Sequence, residues 1–206
     1  MIETIGITGG IGSGKSVVSR ALTSMSVPVY DCDSRAKALY DESQELREGM
    51  IDLLGEAIYD TPDGRINRPL LSSRIFADAA LLARVNALVH PAVRRDFDHW
   101  RRRQEAEGYT LCGLESAILV GQALEQMIDR LVVVAAPLEL RLKRAAARDR
   151  TTEEAIRQRM AHQLSQQELI ERGDAVVYNE PHRPLLPQLW DLLEQIHSVG
   201  VKPSSA

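Results

Sequence analysis

Five short apolar runs punctuate the chain: Ile2–Thr8, Val27–Asp31, Thr110–Glu115, Arg130–Ala136 and Ala175–Tyr178. Most are continuous rather than alternating, as expected of strands in a parallel sheet with helices on both faces. The stretches between them carry helical punctuation. Pro91 and Pro137 stand where first helical residues are expected, and Gly55, Gly108, Gly173 and Gly200 where helices should stop. Thr151 with Glu154 predicts a capping box ahead of a helix over Ala155–Leu169. Leu189, Trp190, Leu192, Leu193 and Ile196 form an apolar stripe on the final helix and read as core. The alternation predicts a doubly wound α/β fold.

Two segments exceed the minimal strand–helix rhythm. Ser34 to Gly108 reads as an insertion about half helical, broken by the turn-rich Asp60-Thr61-Pro62-Asp63-Gly64. Pro137 to Gly173 reads as two arginine-rich helices joined at Arg150-Thr151. Either suits a substrate domain or a lid over the carboxyl edge of the sheet, where ligands bind in such folds.

Composition narrows the partners. In 206 residues the formal charge is −4, which offers no electrostatic case for nucleic acid. Cys32 and Cys112 are too few for a disulfide framework and suit buried thiols in a reducing compartment. Gly9, Gly10, Gly12, Gly14 and Lys15 break up the start of the chain, so no secretory leader is expected. The longest apolar stretch, Leu131 to Leu138, contains Pro137 and is far below the roughly 20 residues needed to span a bilayer. A cytoplasmic protein with no membrane partner is expected, with a frayed tail from Lys202 to Ala206.

Chemistry enters at residue 9. Gly9-Gly10-Ile11-Gly12-Ser13-Gly14-Lys15-Ser16 satisfies G-x-x-x-x-G-K-[ST] between a strand and a helix. The glycines permit the backbone angles that turn successive N–H groups toward phosphate oxygens. The following helix offers its own N–H groups and positive dipole end to the same anion. Lys15 suits the β- and γ-phosphates, and the Ser16 hydroxyl suits a Mg²⁺ shell. An N-K-x-D base reader is missing from the sequence, which argues against a switch GTPase.

Asp31-Cys32-Asp33 falls at the end of the second strand. In a doubly wound sheet that strand is expected beside the first, which would turn its tip carboxylate toward the γ-phosphate. Asp33 can then take a hydroxyl proton, or it can cap the helix at Ser34-Arg35-Ala36; both readings stay open. Arg141, Arg144 and Arg148 share one helix face, suited either to transferring phosphoryl oxygens or to solvent beside Glu139 and Asp149. The phosphate loop favours the first reading. Arg94-Arg95 and Arg101-Arg102-Arg103 read mainly as a solvated face, and His90 precedes Pro91 where capping and ligand contact are both open.

These residues resemble the dephospho-CoA kinase family over nearly the whole chain. Ile5 to Ser16 is similar to its opening segment and Asp31-Cys32-Asp33 to its D-x-D. Asp63-Gly64-Arg65-Ile66-Asn67-Arg68, with Leu70 and Arg74-Ile75-Phe76, is similar to its substrate-domain stretch. Leu88 to Arg94 resembles its His-Pro segment; Leu142-Lys143-Arg144, Arg148-Asp149, Arg159 and Gln163 resemble its lid; Asp174 to Asn179 resembles a strand whose asparagine lies near adenine. The chain departs from the pattern at Val17, in Glu115-Ser116-Ala117-Ile118-Leu119-Val120-Gly121, and in Tyr178-Asn179-Glu180-Pro181, which lacks the usual glycine.

The resemblance implies a P-loop NTPase-type, doubly wound, parallel five-stranded sheet in one domain. Its core would span 1–33, 109–136 and 174–200, with a helical substrate-binding insert at 34–108 and a helical lid at 137–173. It implies phosphorylation of the ribose 3′-hydroxyl of 3′-dephospho-coenzyme A by ATP with Mg²⁺, the last step of coenzyme A synthesis. Asp33 would be the base, with Lys15 and Arg144 stabilising the transferring group. ATP would meet Ile11, Gly12, Ser13, Gly14, Lys15, Ser16, Val17, Arg144, Arg148 and Asn179. Dephospho-CoA would meet Asp33, Arg65, Arg68, His90 and Arg94, and Mg²⁺ would meet Ser16, with Glu115 through water. The competing readings are a P-loop kinase for another nucleoside or nucleotide acceptor, and a nucleotide-binding regulator without catalysis.

Overall fold

A computed structural model describes residues 2–121 and 123–200; the tail expected to fray lies outside them. In chain order the elements are β1 (Glu3–Thr8), α1 (Lys15–Ser24), β2 (Val29–Asp31), α2 (Cys32–Glu42), α3 (Gln44–Leu54), a 3-10 turn (Glu56–Ile58), α4 (Arg68–Ala77), α5 (Ala79–Ala106), β3 (Leu111–Glu115), a second 3-10 turn (Ala123–Met127), β4 (Arg130–Ala135), α6 (Leu138–Asp149), α7 (Glu153–Met160), α8 (Gln166–Arg172), β5 (Ala175–Tyr178) and α9 (Leu185–Gly200). The residues up to Val29 and from Gly108 onward form one compact unit, and Tyr30–Glu107 forms another.

The five apolar runs all become strands of one α/β parallel sheet, ordered β2-β3-β1-β4-β5. β1 runs parallel to β3, with Ile7 opposite Glu115, and to β4, with Thr8 opposite Val133. β4 in turn runs parallel to β5, with Ala135 opposite Tyr178. β3 therefore separates β1 from β2, which corrects the expectation that β2 lies beside β1. Chirality fixes the hand of a parallel crossover but not how many places it skips. The carboxylate at the strand tip next to β1 is consequently Glu115, from the third strand rather than the second.

In the first unit Ile5, Ile7, Val18, Leu22, Val132, Val134 and Val177 form one apolar cluster with Leu189, Leu192, Leu193 and Ile196 of α9. Trp190 is 58% exposed, contrary to its reading as core. One residue is a turn of about 100° on a helix, enough to carry Trp190 off the buried face that Leu189 occupies.

In the Tyr30–Glu107 unit α2, α3 and α4 pack on α5. Pro91 lies inside α5 rather than at a helix start. Val85, Val89, Val93 and Phe97 are buried at helical spacing on both sides of it. Their burial outweighs an interior proline penalty of roughly 3 kcal/mol. Tyr30, Phe97 and Trp100 pack ring to ring at centroid distances of 5.2 to 5.9 Å.

The 137–173 segment holds three helices, not the two expected. Thr152 rather than Thr151 opens α7, accepting from the Ala155 N–H, and the capping box sits at Ser165 and Glu168 at the start of α8. That second cap divides the expected Ala155–Leu169 helix, because a Ser–Glu pair satisfies the N–H donors of a new helix start. No helix among the described residues is long and apolar enough to cross a membrane.

Candidate active site

The phosphate loop leaves β1 at the buried Thr8 and enters α1 at Lys15. Gly14 caps α1 in the left-handed region, at φ 91°. Gly12 has φ 78°, and a Cβ there would collide with the backbone of Arg141. Only glycine meets both demands without strain. The Lys15 ammonium donates to the Gly9 carbonyl at 2.7 Å, the Ser13 N–H to the Gly10 carbonyl at 3.1 Å, and the Val17 N–H to the Gly14 carbonyl at 2.9 Å. The first turn of α1 directs backbone donors away from the helix's own ladder, which makes it an anion site. Ser16 is exposed on that turn. Thr8 Oγ1 and Ser13 Oγ are buried with no hydrogen-bond partner among the described residues, leaving polar capacity at the root of the loop.

Two neighbouring strands border this loop. Glu115, half-buried at the end of β3, stands opposite Ile7, two residues before the loop. Asn179 follows β5, donates through Nδ2 to the Ser13 carbonyl at 2.9 Å and accepts at its own carbonyl from Arg144 at 3.0 Å. The structure thus brings Asn179, Arg144 and the phosphate loop together, and its carboxamide is a strut for the loop.

The three arginines of α6, equivalent by spacing, have three different environments. Arg141 is buried and donates from Nε to the Ile11 carbonyl at 3.0 Å. Burial holds its pKa below the usual arginine value. Arg144 is half-buried beside Asn179. Arg148 is exposed and pairs with Asp149 at 2.7 Å, and Arg159 joins the same carboxylate at 2.6 Å. Hydrogen bonds from Arg148 and then Arg159 hold the Asp149 carboxyl down at about 2.

The remaining expected residues lie on the Tyr30–Glu107 unit. Asp33 is exposed in the first turn of α2. The cap of that helix is Asp31, which accepts the Ser34 N–H at 3.1 Å and the Ser34 hydroxyl at 2.6 Å, so the capping alternative for Asp33 is set aside. An aspartate two residues earlier already meets the helix's donors. Arg65 and Arg68 line a cavity of about 620 Å³ with Lys37, Arg47 and the carboxylates of Asp41, Glu42 and Asp63. Arg68 donates to the Lys37 carbonyl at 3.0 Å and lies 3.7 Å from Asp41. His90 and Arg94 stand one turn apart on α5 and do not line that cavity.

Sequence reasoning missed Lys37 and Arg47 as cavity residues and Gln166 as a partner of Arg141, and it named Gln163 only by resemblance to a lid, not as a partner of the loop. Gln163 accepts the Ile11 N–H at 3.1 Å, and Gln166 accepts from Arg141 and from the Ala136 N–H. The one local signal at Gln166 was its position directly after Ser165, a strong helix-start residue. No cluster of three or more His, Cys, Asp or Glu suited to a metal occurs among the described residues.

Comparison with known proteins bears on this geometry. A sequence model of the dephospho-CoA kinase family matches residues 3–183. A dephospho-CoA kinase of Porphyromonas gingivalis is 43% identical over 97% of this chain and 97% of that protein. The crystal structure of a Thermus thermophilus protein superposes with a TM-score of 0.80 at 32% identity, over 98% of this chain and 99% of that one. A dephospho-CoA kinase structure from Campylobacter jejuni, 20% identical, shares the fold at a TM-score of 0.70 over 98% and 100% of the two chains.

Proposed function

Because this chain belongs to the dephospho-CoA kinase family, we infer that it transfers the γ-phosphoryl group of ATP to the ribose 3′-hydroxyl of 3′-dephospho-coenzyme A, giving coenzyme A and ADP in the last step of coenzyme A synthesis. What carries the reading is a complete phosphate loop inside a family match that runs from residue 3 to residue 183. A cytoplasmic setting accords with two buried thiols.

In this proposal residues 11–17 surround the phosphates of ATP and the N–H groups at the start of α1 face them, while Lys15 and Arg144 meet the charge that spreads over the transferring group. The 3′-hydroxyl oxygen forms a bond to the γ-phosphorus as the bond to ADP breaks, and the hydroxyl proton passes to the Asp33 carboxylate. Arg148 and Asn179 complete the ATP side. The Asn179 carboxamide acts there through the Ser13 carbonyl, so its contribution is to hold the loop in shape. Arg65, Arg68, His90 and Arg94 serve the acceptor; the first two line the cavity with Lys37 and Arg47, beside the carboxylates of Asp41, Glu42 and Asp63, and offer guanidinium forks to an anionic group. We assign residues 34–108 to acceptor binding and 137–173 to the ATP side.

A hydroxyl and a carboxylate suit a Mg²⁺ ion that takes its other oxygens from ATP and water. The exposed Ser16 hydroxyl and half-buried Glu115, both in the first unit, would supply that pair. Bound there, the ion would offset negative charge on the β- and γ-phosphates.

The test is ADP formation with ATP, Mg²⁺ and dephospho-CoA, set beside adenosine and nucleoside monophosphates, with the product's phosphate located by ³¹P NMR. A 3′-phosphate formed with dephospho-CoA alone is the expected result. Turnover with another acceptor would reassign the substrate, and tight ATP binding without turnover would make the protein a nucleotide-responsive regulator.

A further inference from the structure

We propose that Arg141 and Gln163 are positioning residues that grip the Ile11 backbone through the two peptides that flank it and hold the phosphate loop in its ATP-binding shape. The inference rests on the reading that this loop holds ATP.

A loop with four glycines in six residues has far more backbone freedom than one cradle geometry allows, so something outside it must remove that freedom. Ile11 is where the restraint acts. Its N–H donates to Gln163 Oε1 at 3.1 Å, and its carbonyl accepts from Arg141 Nε at 3.0 Å. Its side chain packs against Leu142, Ala145 and Ile156, a small apolar cluster shared by α6 and α7. Ile11 is thus held through its N–H, its carbonyl and its side chain.

Arg141 is itself held firmly. It is 7% exposed, and its guanidinium fills the space that a Cβ on Gly10 would need. Its Nη1 donates to Gln166 Oε1 at 3.4 Å, and the same oxygen accepts the Ala136 N–H at 3.1 Å, just beyond the end of β4. The grip is therefore referred back to the sheet. Arg144 works elsewhere, on the Asn179 carbonyl.

The chemistry of Arg141 differs from that of an arginine held ready for substrate. A buried guanidinium whose Nε holds the Ile11 carbonyl and whose Nη1 reaches Gln166 is placed to shape backbone. Gln163 is suited to its place because a neutral amide accepts from the Ile11 N–H without setting a negative charge beside the phosphates.

Arg141→Met and Gln163→Met remove the two hydrogen bonds at similar side-chain volume. Direct titration with Mg²⁺–ATP by calorimetry should show affinity about tenfold weaker in each, the scale of one lost buried hydrogen bond. The double variant should be weaker by less than the product of the two, because both act on one residue. In steady state the KM for ATP should rise while kcat and the KM for dephospho-CoA stay within about twofold of the unmodified protein. A simple loss of folded protein would lower kcat and leave KM in place. Arg141→Lys, with its charge kept but the fork lost, should fall between the unmodified protein and Arg141→Met.

If Arg141→Met does not fold, Gln163→Met at the half-buried α7–α8 junction decides the matter alone. Unchanged ATP affinity in a folded Gln163→Met protein would overturn the grip. Failure of the unmodified protein to bind ATP would overturn the functional reading instead, so the two failures are distinguishable.

Discussion

In the phosphate loop the groups that meet an anion are backbone donors, fixed by glycine geometry and by side chains from α6, the α7–α8 junction and Asn179. In the cavity of the Tyr30–Glu107 unit that we assign to the acceptor, the cationic groups are long side chains: Lys37, Arg47, Arg65 and Arg68. There Arg65 and Arg68 already stand 3.7 Å from Asp63 and Asp41. Preorganised donors need no rearrangement when charge arrives, whereas exposed ion pairs are worth only about 0–1 kcal/mol each and are readily exchanged. On the proposed assignment, the loop supports catalysis that fails when one part is lost, and the cavity supports recognition shared among several weak contacts.

That contrast ranks the expected effects of substitution. Lys15→Ala should cut kcat by about a thousandfold, because a cation aimed at the phosphates has no substitute in the loop. Near-normal turnover in a continuous ADP assay would remove the loop from the mechanism and erase the contrast. Asp33→Asn should lower kcat by about a hundredfold and shift the KM for ATP by less than threefold, since it deletes a proton acceptor and leaves the cradle intact. A matching loss of ATP binding would instead make Asp33 part of the cradle.

Arg68→Ala probes the other side of the comparison. It should raise the KM for dephospho-CoA by about three- to tenfold with the KM for ATP unchanged, a modest loss shared by Arg65 and Lys37. A loss as severe as that of Lys15→Ala would show that the cavity is as preorganised as the loop.

The smallest effect is expected at Asp149, which joins Arg148 and Arg159 on the outer part of α6. Its folded carboxyl is held at about 2, below the ordinary aspartate range. Its contribution is therefore present above pH about 4 and disappears as pH falls toward about 2. Asp149→Asn should lower the urea midpoint by the equivalent of under about 1 kcal/mol at pH 7, because its partners are exposed. The gap should close as the same measurement is repeated down to acid pH; a gap that persists there would place its origin in packing.

Much of this arrangement was legible along the chain. Continuous apolar runs located every strand to within two residues, since burial on both faces leaves no room for polar alternation. The phosphate loop was equally plain, because its chemistry resides in consecutive backbone groups whose angles demand glycine at fixed places. Fine punctuation was less secure: Thr152 and Ser165, not Thr151, open the helices of the 137–173 segment, and α5 runs through Pro91. In each case several local signals competed and packing chose among them.

What the sequence by itself determined, then, was the alternation of elements, the phosphate loop and the family resemblance, all properties of neighbours along the chain or of their pattern. Only the tertiary structure decided that β3 lies between β1 and β2, so that Glu115 stands opposite Ile7. Only it separated Arg141, pressed under the loop, from Arg144 beside Asn179 and from Arg148 in solvent. Helical spacing gives these arginines nearly the same face, while their environments come from Gln166, Asn179 and Asp149. Burial, and with it the work a charge can do, is set by which distant segment covers a side chain, and that information is not local.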